Sequence, residues 1–423
     1  MNEADSAPAG GAPATPPAHH NPRGAFRHRG FLLFWIARFF TVFATQIVSV
    51  AVGWQVYDLT RNPFDLGLVG LVQFAPALIL VLVTGSVSDR YNRRIIVAVC
   101  QALEAVCAAG LLWLTLSGSI SVGAIFALLF VFGIARAFMG PASQSLIPNL
   151  VPAEDLASAI ALSASSWQVA TIVGPVAGGL LYGLAAESAY GFAAALFLGA
   201  GILILNVPKP PQKTLTKPTS WSTVVAGFRY VWREKIVLGA ISLDLFAVLL
   251  GGAVALLPVY ARDILDVGPW GLGLLRSASG IGAVVVAIYL TWRPVTDHAG
   301  IVMFIAVGIF GAATFIFGVS TVVWLSAVAL ALAGAADMIS VYVRETLIQL
   351  WTPDAVRGRV NAVNMVFVGA SNEVGEFRAG TVAALIGVVP AVVMGGIGTI
   401  GVAFLWAWMF PQLRRARHLD GRT

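Results

Sequence analysis

Gly85-Ser86-Val87-Ser88-Asp89-Arg90-Tyr91-Asn92-Arg93-Arg94 is a short cationic turn between two long apolar segments, residues 66–87 and 95–116. Apolar runs of that length can cross a hydrocarbon core about 30 Å thick, so a basic turn this compact lies on a membrane face. Asn92 is expected to take the left-handed backbone that such a turn often needs, Asn being second only to Gly there. Composition points the same way. The 423-residue chain is 58% hydrophobic and 11% charged, where a soluble domain carries about 25% charged residues. Too few charges remain to cover a soluble surface, so lipid must cover much of it.

Working outward from the turn, twelve apolar runs are long enough to span: residues 31–58, 66–88, 95–117, 121–145, 157–184, 189–206, 236–260, 270–292, 299–319, 322–345, 360–386 and 388–410. The expected fold is an all-α membrane protein of 12 transmembrane helices in two six-helix pseudo-symmetric bundles. Residues 1–29 form an N-terminal tail, expected to be disordered and without a cleavable signal. Residues 30–206 form the first bundle, 207–235 a linker, 236–411 the second bundle and 412–423 a basic tail. Even span number puts both termini on one side. Of the 26 Lys and Arg, only Arg61 and Arg262 fall in loops of the opposite side, and five lie within spans. Such an asymmetry predicts cytoplasmic termini in a plasma membrane of the bacterial inner type. Within the linker, Trp221, Val224, Val225, Phe228, Val231 and Trp232 recur at helical spacing between Arg229, Arg233 and Lys235, which predicts an amphipathic helix on the membrane surface. A shift of 201 residues aligns Gly133 with Gly334 and Pro152 with Pro353, a faint repeat between halves.

Several function classes drop out. The net charge of +6 resides in loops and serves orientation, so no nucleic-acid partner is expected. Cys100 and Cys107 lie seven residues apart on one helix, too far to bridge, and no metal-ligand spacing of Cys or His occurs. Neither a phosphate-cradling Gly-rich loop nor a nucleophile with its base is present, so neither enzymatic chemistry nor ATP drive is expected. No cofactor is expected beyond a proton gradient.

The turn resembles the signature between the second and third helices of major facilitator superfamily transporters, carried here by Gly85, Asp89, Arg90, Arg93 and Arg94. Val87 replaces the usual Leu and Asn92 the usual Gly. Arg136-Ala-Phe-Met139-Gly140 resembles the fourth-helix motif of that superfamily, with Met139 in place of Gln. Gly174-Pro175-Val-Ala-Gly178-Gly179 resembles a motif associated with antiporters. The likeness runs over roughly residues 25–412 and is nearest to the drug and siderophore exporter branch. The second half keeps only Arg293 and Asp297 of the signature. The resemblance implies alternating access, a gating role for Asp89 with its arginines, and a cavity lined by helices one, four, seven and ten. A plain topology anchor would explain the arginines of the loop equally well, but not Gly85 and Asp89. For Gly174, Pro175, Gly178 and Gly179, hinge or seal competes with simple close packing.

An ionisable side chain at the centre of a bilayer costs about 2.5–3.5 kcal/mol on insertion scales, so each needs a reason. Glu104, Arg136, Asp244, Arg276, Asp337, Glu373, Glu376 and Arg378 lie deepest in the spans. Glu373 and Glu376 share one helix face, and two such neighbours in hydrocarbon resist being ionised together. They are the leading candidates for carrying a proton, with Asp337, Asp244 and Arg136 as further coupling candidates, and a fixed salt bridge is the plain alternative. Arg378 points away from Glu376 and needs a partner on another helix. With helices four, seven and ten around the cavity, Arg136, Asp244 and Asp337 are expected to face one another there. Arg38, Gln46, Arg136, Asn361, Asn364 and Arg378 are candidates for touching a substrate. The resulting expectation is a monomeric secondary transporter that exports an amphiphilic small molecule, a siderophore or a drug, against protons. Proton-symport uptake, lipid flipping and a non-transporting receptor are the alternatives.

Overall fold

A computed structural model describes residues 24–209, 221–295 and 297–415, and no strand occurs among them. Twelve long helices account for most of the chain: α1 Arg29–Thr60, α2 Pro63–Arg90, α3 Arg93–Leu116, α4 Val122–Leu146, α5 Leu156–Leu184, α6 Ala186–Leu205, α7 Lys235–Gly251, α8 Gly268–Trp292, α9 Ala299–Val319, α10 Val323–Trp351, α11 Asp354–Ile386 and α12 Val388–Met409. Eleven segments among them are long and apolar enough to cross a membrane. The exception is α11. It spends its length on Arg357, Arg359, Glu373, Glu376 and Arg378, and its 33 residues pack on α7 and α12 of its own half and on α2 of the other. A helix this polar stays in a membrane only by turning those groups toward protein.

Sequence sets the helix ends. Asn62 accepts from the Phe64 N–H at 3.0 Å ahead of Pro63, a first-turn proline that lacks a donor to satisfy. The cationic turn shrinks to Tyr91 and Asn92. Asn92 is extended rather than left-handed, contrary to expectation, because its side chain accepts from the Arg94 N–H at 3.1 Å and caps α3. One capped orphan donor replaces the positive φ.

The packing pattern repeats. In the first half α1 packs on α5 and α6, α3 on α4 and α6, and α2 on α4. In the second half α7 packs on α11 and α12, α9 on α10 and α12, and α8 on α10. Gly133 lets α4 press on the Gln73 backbone of α2, and Gly334 lets α10 press on the Ser279 backbone of α8. Three residues beyond these glycines stand Arg136 and Asp337, one cation and one anion at matching positions.

One side of the molecule, here the termini side, carries both ends of the described chain and the α2–α3 turn. A helix of the linker, Trp221–Arg233, docks there on the second half: Val231 is buried beside Val237, Ile348 and Val360, and Phe228 meets Phe367 at 5.7 Å. Trp232 stays exposed. Residues 1–23, 210–220 and 416–423, which include both tails and the proline-rich start of the linker, lie outside the described residues.

Helix α7 breaks after Gly251. It continues as short turns, Val254–Leu256 and Leu257–Val259, and ends in the wide turn Tyr260–Ile264. The break frees the Leu250 carbonyl, and Arg378 of α11 donates to it at 2.5 Å. Tyr260 fastens the outer piece by donating to the Gly318 carbonyl at 2.8 Å.

Candidate transport site

The two halves meet along α2–α11 and α5–α8. On the far side from the termini, Phe64 packs on Phe377 at 5.8 Å and Gly179 lies against the Pro269 backbone. A cluster of charges closes that side. Asp58 pairs with Arg262, Asp263 pairs with Arg61 at 3.4 Å, and Tyr57 donates to Asp263. The Arg262 guanidinium also sits 5.4 Å from the Trp54 ring centroid. All the partners cross between α1 with its loop and the end of the α7 segment. In the sequence Arg61 and Arg262 are two stray loop charges, and no local pattern marks a pair some 200 residues apart.

Just inside this latch lies a cavity of about 190 Å³ where both halves contribute. Thr45, Gln46, Gln73 and Arg136 line it from the first half; Arg276, Glu373 and Glu376 line it from the second. The structure thus brings the expected carboxylate pair together with Arg136 and adds Arg276 of α8. Both arginines are within electrostatic reach of Glu373, and Arg276 is within reach of Glu376. Arg136 donates to the Gln73 side chain at 3.3 Å. Gly70 leaves the room the two carboxylates occupy, since a Cβ there would strike Glu373. Two guanidiniums facing two carboxylates allow the pair to be ionised without an uncompensated charge in hydrocarbon.

A second cavity of about 330 Å³ adjoins it toward the termini side, sharing Thr45, Gln46 and Arg136. Arg38, Gln101, Glu104, Gln144 and Trp167 are among its lining. Glu104 is 1% exposed, and neither carboxylate oxygen has a hydrogen-bond partner among the described residues. Arg38 Nε is likewise buried without one. Unsatisfied acceptors and donors on one wall suit a ligand that offers both. Of the expected cavity residues, Arg38, Gln46 and Arg136 are therefore in place.

Other expected residues lie elsewhere. Asp244 and Asp337 do not share a cavity with Arg136. Asp244 pairs instead with Arg344, and both aspartates line a separate small cavity against α9. Arg378 serves the broken end of α7, since an exposed carbonyl in the bilayer needs a donor. Asn364 donates to Glu345 at 2.8 Å, and neither Asn361 nor Asn364 lines the two central cavities. Gly174 and Gly178 press on Gln46 and Ile47 of α1, while Gly179 and Pro175 touch Pro269 and Gly273 of α8. The segment is a seam between halves, with a tight fit on both flanks. In the signature loop, Arg93 donates to the Ser145 carbonyl at 3.0 Å and Arg94 to the Val207 carbonyl at 2.6 Å. These bonds tie helix ends of the first half together. Arg90 is exposed, nothing lies within 4 Å of a Cβ at Gly85, and the Asp89 side chain lies outside the described residues.

Two six-helix bundles of repeated packing around shared polar cavities define a transporter of the major facilitator type. The chain matches the family described as transmembrane secretion effector over residues 21–420, and it belongs to that family. The enterobactin exporter EntS of Citrobacter koseri is 24% identical over 396 residues, covering 92% of this chain and 94% of that protein. The EntS protein of an Escherichia coli O1:K1 strain gives the same identity and coverage. Among solved structures, a bacterial homologue of the human lysosomal transporter Spinster, inward-facing and occupied, superposes with a TM-score of 0.73 at 14% identity, over 94% of this chain and 99% of that one. The nucleoside transporter NupG gives 0.69 at 15% identity, over 90% and 99%. These likenesses establish the fold. The chain is a multi-pass membrane transporter.

Proposed function

We propose that this protein is a proton-coupled exporter of the bacterial inner membrane. Its termini lie in the cytoplasm, and it expels an amphiphilic small molecule of the siderophore or drug class by alternating access as a monomer. The observation that carries the reading is the shared cavity in which Glu373 and Glu376 face Arg136 and Arg276. With the far side latched and polar cavities extending toward the termini side, the state described is the cytoplasm-facing one. Full-length similarity to enterobactin exporters favours a siderophore over other amphiphiles.

Coupling follows from competition. A substrate hydroxyl or amine that donates to the Glu373–Glu376 pair needs a free carboxylate, and a proton occupies the same oxygens. Substrate entering from the cytoplasm displaces a proton, and a proton entering from outside displaces substrate. Arg136 and Arg276 hold the negative charge of the pair while it changes partners. The sign is fixed: lower pH weakens substrate binding, which is the antiport sense.

Proteoliposomes under an imposed pH gradient test this, with a catecholate siderophore and a fluorescent lipophilic cation as probes. The gradient should drive one of them in the wild type and not in Glu373→Gln, which should retain gradient-independent exchange. Equal drive in both proteins contradicts the coupling role of Glu373. If neither probe moves in the wild type, the exporter reading itself fails.

A further inference from the structure

The second half holds a charged cluster that the central cavities do not use. Arg344 of α10 is 3% exposed and pairs with Asp244 of α7, which is 5% exposed. Asp337, two turns earlier at the middle of α10, is within electrostatic reach of both. Asp244, Asp337 and Ser340 line a cavity of about 10 Å³, closed on its apolar side by Val307 and Phe310 of α9. That is the space of a single water. Ser340 Oγ on its wall is buried and has no hydrogen-bond partner among the described residues.

Charge does not close inside this cluster. Two carboxylates face one guanidinium, and among the described residues Arg344 is the cation within electrostatic reach of Asp244 and Asp337. Helices α9 and α12 carry no Asp, Glu, Lys, Arg or His. Arg276, the one such residue on α8, faces Glu373 and Glu376. Arg378 of α11 is held at the Leu250 carbonyl. Glu345, 3.7 Å from Arg344 on its termini side, adds a further carboxylate, but it is half-exposed and accepts from Asn364. An uncompensated carboxylate at mid-bilayer depth is costly, and a proton is the smallest ligand that removes the charge.

We propose that Asp337, with Asp244 and Ser340, is a second proton-binding centre, in the second half and outside the central cavities, with Glu345 as its outlet toward the termini side. Uptake forms one O–H bond on the Asp337 carboxylate, with Ser340 as its hydrogen-bond partner, directly or through one water. Release returns that proton to water at the half-exposed Glu345, and the two carboxylates then share Arg344. The site is independent of the Glu373–Glu376 pair, so it can stand if that reading fails.

Infrared difference spectroscopy of the purified full-length protein between acidic and alkaline buffer tests it without any substrate. A carboxylic-acid carbonyl band that titrates should persist in Glu373→Gln/Glu376→Gln, vanish in Asp337→Asn, and shift in frequency without loss in Ser340→Ala. A spectrum unchanged in Asp337→Asn overturns the proposal. Should Asp337→Asn fail to fold, an unshifted band in Ser340→Ala overturns it instead. Loss of the band on adding sodium chloride at fixed pH, with no such loss on adding choline chloride, would also overturn it, since the cavity would then hold a metal cation.

Discussion

At the scale of single residues, the carboxylates on α11 show how much depends on which neighbour a charge finds. Glu373 and Glu376 face two arginines in a cavity, whereas Arg378, two residues on, turns to the Leu250 carbonyl. Arg136→Lys keeps the charge near Glu373 but loses the planar fork that donates to Gln73. Losing one charge-assisted bond costs about 1.5–3 kcal/mol, so transport should fall by roughly tenfold or more, read as initial rates in vesicles; full activity would mean that a point charge suffices. Arg378→Met should act on stability instead. It leaves a buried carbonyl without its donor, at about 1–3 kcal/mol, and should lower the melting temperature in detergent while substrate affinity stays unchanged. A changed affinity would put Arg378 in the binding site after all. Helical spacing made the Glu373–Glu376 face legible in the sequence, and depth in the span singled out Arg136. The partners were not legible. Arg344 for Asp244, Arg276 for the glutamates and Leu250 for Arg378 depend on where distant helices cross, which leaves no local trace.

At the scale of elements, eleven of the twelve spans could be read directly because lipid demands about twenty apolar residues at a stretch, and only the more polar α11 falls short of that rule. The break in α7 was less visible, though Gly251-Gly252 ahead of Pro258 is its signal. The register of α2 against α11 carries a consequence for the opposite state. Gly70 faces Glu373, and Phe74, four residues on, faces Gly369, four residues back. Eleven residues further along both helices the same register sets Gly85 opposite Gly358, and a Cβ at either now meets nothing within 4 Å. When the termini side shuts, these two glycines should touch. Gly85→Cys/Gly358→Cys, in a chain with Cys100 and Cys107 replaced by Ala, should form an oxidative crosslink that arrests transport and is reversed by reductant. Failure to crosslink under turnover would show that the helices close in another register. Gly85→Ala should leave the structure described here, open toward the termini side, as stable or slightly more so, by about 0.5–1 kcal/mol from helix propensity. Gly334→Ala, which would drive a methyl into the Ser279 carbonyl, should destabilise it.

At the scale of the whole molecule, the far side is held by few contacts. Each exposed pair contributes about 0.2–1 kcal/mol, so Asp58, Arg61, Arg262 and Asp263 together bias the two states without locking either. Asp263→Asn removes the negative charge that pairs with Arg61 and accepts from Tyr57. It should shift the population toward the far-side-open state by a few-fold, read from spin-label distances across α1 and α8, and an unchanged distribution would show that packing alone shuts that side. Arg61 sits at φ 51, a left-handed position unusual for a side-chain-bearing residue, which aims it across the gap. The central claim is that substrate and proton compete for the Glu373–Glu376 pair. Its most direct measurement is proton release into weakly buffered detergent solution when a catecholate siderophore is added to the purified protein at fixed pH. The account predicts release from the wild type and none above the free-ligand blank from Glu373→Gln/Glu376→Gln, with wild-type affinity rising as pH rises. Equal release from both proteins, or affinity independent of pH in the wild type, would contradict it.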